Sequence, residues 1–279
     1  MFSPQTWRPA PLPFAWGAAL PAALLLGLTG MVPIIRFGAL LQFGLAGVLA
    51  VGLLALGAGR LDRGVVGLGR APVIRCLLVG LAGLAVFYGG MSLIGAIKGD
   101  AAAADQAQAV QRLLNFGKNP RADLMMILLT TLIAPIVEEI IFRGLLFRGL
   151  RDGLTRGGFV RRQPDALTRR LPAQVALLIA LAVSAWAFID IHGGDGQDGL
   201  VLEYGLFATV MALGYHLSGS LIVPMVLHSI VNTTTLFGAA TAEGAPDLAD
   251  GLIGLIVAGP VLVILVALLI GRLLPRAQP

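Results

Sequence analysis

The apolar residues of this 279-residue chain come in runs of about twenty. That is the length of helix that crosses a hydrocarbon core about 30 Å thick. The runs fall at about 14–35, 37–59, 73–97, 122–147, 173–192, 200–217, 220–237 and 251–271. None alternates apolar with polar residues, as the shorter strands of a membrane β-barrel do. The expected fold is therefore all-α, a polytopic membrane helix bundle of about eight transmembrane helices. The count is good to one either way, because only Leu217-Ser218-Gly219-Ser220 breaks the stretch 200–237. Composition agrees: 57% of residues are hydrophobic and 13% charged, about half the charge of an ordinary soluble domain. So apolar a chain is neither a soluble globule nor disordered. The single cysteine, Cys76, excludes an internal disulfide and a Cys-based zinc site.

The net charge of +5 belongs to the connections between runs and calls for no nucleic-acid partner. Arg60, Arg63, Arg70 and Arg75 lie in one connection; Arg148, Arg151, Arg156, Arg161, Arg162, Arg169 and Arg170 lie in another; Arg272 and Arg276 close the chain. With eight spans these fall on one side together with Arg8, whereas Asp100, Asp105, Asp195, Asp198, Glu243, Asp247 and Asp250 fall on the other. Lys/Arg excess marks the cytoplasm. The expectation is a multi-pass protein of the cell (inner) membrane with both termini cytoplasmic. The run from Phe14 continues past Met31 without a small-residue cleavage site, so it reads as a retained anchor. The segment 98–121 reads either as a surface helix, with Ala109, Val110, Leu113, Leu114 and Phe116 on its apolar side, or as a solvated connector.

Ionisable groups within a membrane span are costly and are functional-site candidates by default. Three places concentrate them. In the fourth run stands Pro135-Ile136-Val137-Glu138-Glu139-Ile140-Ile141-Phe142-Arg143. Residues four apart share a helix face, which puts Glu139 over Arg143 as an ion pair and leaves Glu138 over Phe142, with an apolar flank suited to a general base. The fifth run ends in Phe188-Ile189-Asp190-Ile191-His192; Asp190 points away from His192 and reads as a boundary residue facing water. The seventh run carries His228 and Asn232, also four apart. For the first and third groups the plain alternative is helix packing through ion pairs or interhelical hydrogen bonds; for His192 it is an interfacial residue at a helix end. Glu138, His192 and His228 are also the one set that could bind zinc, which many hydrolases hold with two His and a carboxylate. The H-E-x-x-H spacing is absent, so no metal is assigned. His216, the third histidine, lies outside these groups and reads as an interfacial residue.

The order E-E-x-x-F-R, F-x-x-x-H and H-x-x-x-N on three separate helices resembles the CPBP family, which comprises type II CAAX prenyl proteases and bacteriocin-processing or immunity proteins. Leu213-Gly214-Tyr215 through Gly219-Ser220-Leu221, then Pro224 and His228, resembles the family's lead into its last motif. The resemblance covers roughly 122–237, between N-terminal membrane helices with a surface loop (1–121) and a C-terminal membrane helix and tail (238–279). It implies an intramembrane endopeptidase acting on membrane-associated or lipidated peptides. Glu138 and His192 would activate the attacking water, His228 and Asn232 would bind the developing oxyanion, and Glu139, Arg143, Phe142 and Phe188 would support the site. Asp190, at a position usually apolar in the family, and the long basic connection 148–170 depart from its pattern. The competing readings are a non-catalytic immunity or scaffold protein of the same fold, and an ion-coupled transporter. The intact motif set speaks against the first, and the lack of an internal repeat gives the second no support.

Overall fold

The structure is a computed structural model that describes residues 46–52, 67–68, 71–99, 120–156, 171–193, 200–242 and 246–274. These residues form seven helices: α1 (46–52), α2 (Val73–Lys98), α3 (Pro120–Arg156), α4 (Ala173–Gly193), α5 (Val201–Ser218), α6 (Ile222–Ala242) and α7 (Pro246–Leu273). There is no strand among the described residues. The all-α bundle expected from the unbroken apolar runs is the observed fold.

Five helices are long and apolar enough to cross a membrane: Val73–Lys98, Asp123–Thr155, Ala173–His192, Ile222–Thr241 and Asp250–Leu273. The expected run 14–35 lies outside the described residues, and of 37–59 only 46–52 falls within them. The loop 98–121, with its candidate surface helix, also lies almost wholly outside. The expected run 200–217 folds as α5 but is not among the five. Its polar residues Glu203, Tyr204 and His216 lower its hydropathy, and its middle is buried against other helices, at Phe207, Ala208, Val210, Met211 and Ala212. The count of eight is thus not reached among the described residues.

Burial sorts the helices into an outer and an inner set. The most apolar window of α2 is only 6% buried, against 61% for that of α3. On α2 and α7, Val73, Leu77, Leu81, Ile97, Val257, Leu265 and Leu273 are all exposed. Apolar surface on this scale is kept out of water in soluble proteins and here faces hydrocarbon. The polar residues gather on the inner helices α3, α5 and α6. Small residues let the outer helices approach, as is usual between membrane helices. Gly83 lies against Leu227 and Val210, Gly90 against Leu206, and Gly259 of α7 against Ser229 of α6. Gly67 takes φ +78° where its carbonyl accepts the Leu221 N–H at 3.0 Å, beside the turn that joins α5 to α6.

Two features of α3 position the site. First, the helix does not stop near Phe147, where the apolar run ends, but continues with its charged residues to Arg156. The Leu171 N–H, just before α4, donates to the Leu154 carbonyl, so the first turns of α4 lie beside this charged extension. From that level the helix rise gives about 24 Å along α3 to Glu138 and about 31 Å along α4 to His192. Measured from an α3 end at Phe147, His192 would have lain far too deep; the longer helix brings the two close to one level. Second, Leu129–Ile133 and Ile140–Phe147 take π-helical turns on either side of the α-helical Ala134–Glu139. Such turns recur at functional sites, and both glutamates stand between them.

Candidate active site

Four helices bring the sequence-identified residues together. Glu138 and Glu139 come from α3, His192 from the C-terminal end of α4, and His228 and Asn232 from α6, while α5 closes the group with Phe207 and Ala208. Glu138, Glu139, Arg143 and His228 are all buried. His192 keeps 27% of its side chain exposed and is the group's opening to the surroundings. Asp190, two residues earlier, is exposed and turned away, as its spacing requires.

The two glutamates have separate partners. Glu139 Oε1 accepts from Arg143 Nη1 at 3.0 Å and from His228 Nδ1 at 2.8 Å. The i,i+4 ion pair expected with Arg143 is therefore present, and the histidine is an added partner that sequence spacing did not disclose. Arg143 also donates through Nη2 to the Ala208 carbonyl at 3.2 Å. Its guanidinium lies 5.0 Å from the Phe188 ring centroid, 5.7 Å from Phe142 and 5.9 Å from Phe207. Rings packed around a cation favour it over plain hydrocarbon, and keep water away from the pair. Breaking such a buried pair by removing one partner costs about 3–5 kcal/mol.

Glu138 makes no such bond. Its Oε2 is buried without a hydrogen bond from the protein. It lies 3.6 Å from His192 Nε2 and 3.8 Å from His228 Nε2, distances too long for direct hydrogen bonds. Both rings are pinned from behind. His228 Nδ1 is held by Glu139, and His192 Nδ1 donates to the Phe188 carbonyl at 2.9 Å. Phe188 stacks on His192 at 4.1 Å, and Phe207 meets His228 edge-on at 4.7 Å. The far nitrogen of each imidazole is thus aimed at one carboxylate oxygen. A group that makes one more hydrogen bond to each, such as a water molecule, fits those distances.

Asn232 stands apart from this triangle. Its Nδ2 donates to the Thr130 carbonyl at 2.8 Å, which occupies one of two amide N–H bonds and leaves the other for a ligand. Phe142 and Phe188 pack edge to face at 5.1 Å beneath Arg143. His216 is half-buried away from the site, where its Nδ1 accepts from Arg151 Nη1 at 3.1 Å. No group of three or more His, Cys, Asp or Glu among the described residues is spaced to hold a metal ion. Glu138, His192 and His228 are the residues that come together at this site. Phe207, Ala208, Tyr204 and Ser229 also border it; they carry no charge, and spacing alone gave no signal for them.

Residues 120–234 match the family model described as Type II CAAX prenyl endopeptidase Rce1-like. The family resemblance carried by the motifs is shown over that segment. It spans α3 to the middle of α6 and holds every residue of the cluster. No curated protein and no solved structure matches the chain. An Rce1-like segment within a bundle of apolar helices marks a multi-pass membrane protein that is similar over that segment to a protease family, its natural surroundings a lipid bilayer.

Proposed function

We propose that this protein is an intramembrane endopeptidase that hydrolyses peptide bonds of membrane-associated or lipidated peptides, with Glu138 and His192 activating the water. The observation that supports it most is the approach of His192 Nε2 and His228 Nε2 to Glu138 Oε2, at 3.6 and 3.8 Å, within a buried setting. A carboxylate and an imidazole on one water are a general-base pair. As the water oxygen bonds to the scissile carbonyl carbon, its proton passes to Glu138 and the carbonyl π electrons move to oxygen. His228 Nε2–H and the second N–H of Asn232 hold that oxyanion, as preorganised donors do. Because its Nδ1–H is given to Glu139, His228 offers an Nε2–H to the oxyanion only as the imidazolium. When the oxyanion collapses, the C–N bond breaks and the proton held by Glu138 goes to the leaving amine.

The test is cleavage of two quenched fluorogenic peptides by the purified protein in detergent. One carries a farnesylated cysteine four residues from its C-terminus, and the other is the same peptide without the lipid. Wild type is expected to cleave at least one, and the ratio reports whether the lipid is recognised. Glu138→Gln is expected to abolish cleavage, and Asn232→Ala to lower turnover by about 100- to 1000-fold with KM little changed. Full activity in Glu138→Gln overturns the general-base assignment. Stoichiometric zinc in the active preparation, together with near-normal turnover of Asn232→Ala, overturns the oxyanion role of Asn232 and points to a metal held by Glu138, His192 and His228. An inactive wild type that moves ions across liposomes supports a transporter instead.

A further inference from the structure

Pro135 stands one turn before the two glutamates and has no N–H. In an α-helix that N–H would serve the carbonyl of Thr131, and in a π-helix that of Thr130. At this point α3 changes from one to the other. The Ala134 N–H reaches back five residues to the Leu129 carbonyl, and the α-helical segment Ala134–Glu139 begins there. Neither carbonyl can take an N–H from residue 135, and a buried carbonyl left without a donor costs free energy. Each has one, and both donors come from α6. Ser229 Oγ donates to the Thr131 carbonyl at 2.6 Å, and Asn232 Nδ2 donates to the Thr130 carbonyl at 2.8 Å. Ser229 is fully buried, and Gly259 of α7 closes behind it: a Cβ there would lie 3.1 Å from Ser229 Oγ.

We propose that Ser229 is a positioning residue for Glu138, acting with Asn232 to clamp the Thr130 and Thr131 carbonyls where Pro135 supplies no N–H, and so to fix the turn of α3 that carries both glutamates. The clamp ties α3 to α6 immediately next to His228. One hydroxyl thereby sets the register between the acid on one helix and the imidazole on the other. The role attributed to Ser229 in turnover rests on the protease reading above; the clamp itself rests only on the backbone geometry. Small misplacements of catalytic groups are expensive, and about 1 Å can cost on the order of 100-fold.

A double-mutant cycle tests the clamp, because alanine at 135 restores an N–H that can serve the Thr131 carbonyl from within the helix. Ser229→Ala, Ser229→Cys, Pro135→Ala and the combined variants are compared by thermal melting, by amide exchange over residues 131–139, and by cleavage of the farnesylated and unmodified peptides. In the native background Ser229→Ala is expected to melt several degrees lower, exchange faster in that segment, and lose about 10- to 100-fold in kcat with KM within about twofold. In the Pro135→Ala background the same change is expected to cost under about threefold in kcat and little in melting temperature. Cysteine keeps the volume with a weaker donor, so Ser229→Cys is read where the alanine variant does not fold in either background. Equal losses in both backgrounds, or no loss in the native one, overturn the proposal. A wild type that cleaves neither peptide defeats the protease reading, and melting and exchange then decide the clamp by themselves.

Discussion

At the scale of single residues, the adjacent acids differ in what surrounds them. Glu139 is the acceptor that two buried donors share, Arg143 and His228, whereas Glu138 Oε2 has two imidazoles near it and bonds to neither. Removing the charge of Glu139 leaves Arg143 uncompensated in low dielectric, so Glu139→Gln is expected to lose about 3–5 kcal/mol of stability. Glu138→Gln is expected to melt near wild type. Thermal melting of the two purified variants side by side checks this, and a larger loss for Glu138→Gln reverses the assignment. The Glu139–Arg143 pair was legible in the sequence because both residues lie on one helix at a spacing that fixes their contact. The second partner of Glu139 was not, because His228 is eighty-nine positions away and only tertiary packing joins them.

Among the elements, periodicity and apolar length found the helices well, since hydrocarbon imposes both. The runs expected at 73–97, 173–192 and 200–217 differ from α2, α4 and α5 by a residue or so. What they missed was the helix beyond the hydrocarbon. Only Leu150 and Leu154 are apolar in Arg148–Arg156, yet it remains helical and sets the level at which α4 begins. The π turns were equally hidden, though Pro135 in the middle of an apolar run was the one local sign of them. The contact between α6 and α7 gives this scale its prediction. At Gly259 an added methyl meets Ser229 Oγ at 3.1 Å, so Ser229 must shift by a few tenths of an ångström while it is bonded to a backbone carbonyl. Gly254 has nothing within 4 Å of the same position. Gly259→Ala is expected to cost about 1–3 kcal/mol by overpacking and to reduce turnover. Gly254→Ala, which gains helix propensity, is expected to melt no lower than wild type. A cost at Gly254 matching that at Gly259 contradicts the packing argument.

Across the whole molecule, the bundle's inner helices hold the charge and its outer ones meet the lipid, so orientation is written only in what joins them. The basic connection 148–170 and the acidic residues around Asp250 are separated by three expected runs, which puts them on opposite sides. By the charge bias the first is expected to be cytoplasmic. The single cysteine makes this directly measurable. Cys76 is replaced by serine to give a background without thiols. One new cysteine is then placed at Gln163, among the arginines, or at Asp250, which is exposed near the start of α7. A membrane-impermeant maleimide is expected to label Gln163→Cys in inside-out vesicles only, and Asp250→Cys in intact cells. On that expected orientation His192, at the end of α4 farther from the basic connection, would open toward the non-cytoplasmic half of the bilayer, and substrate would reach Glu138 from there. Labelling of both positions from one side would remove an odd number of crossings between them, and with it the basis for assigning that entrance.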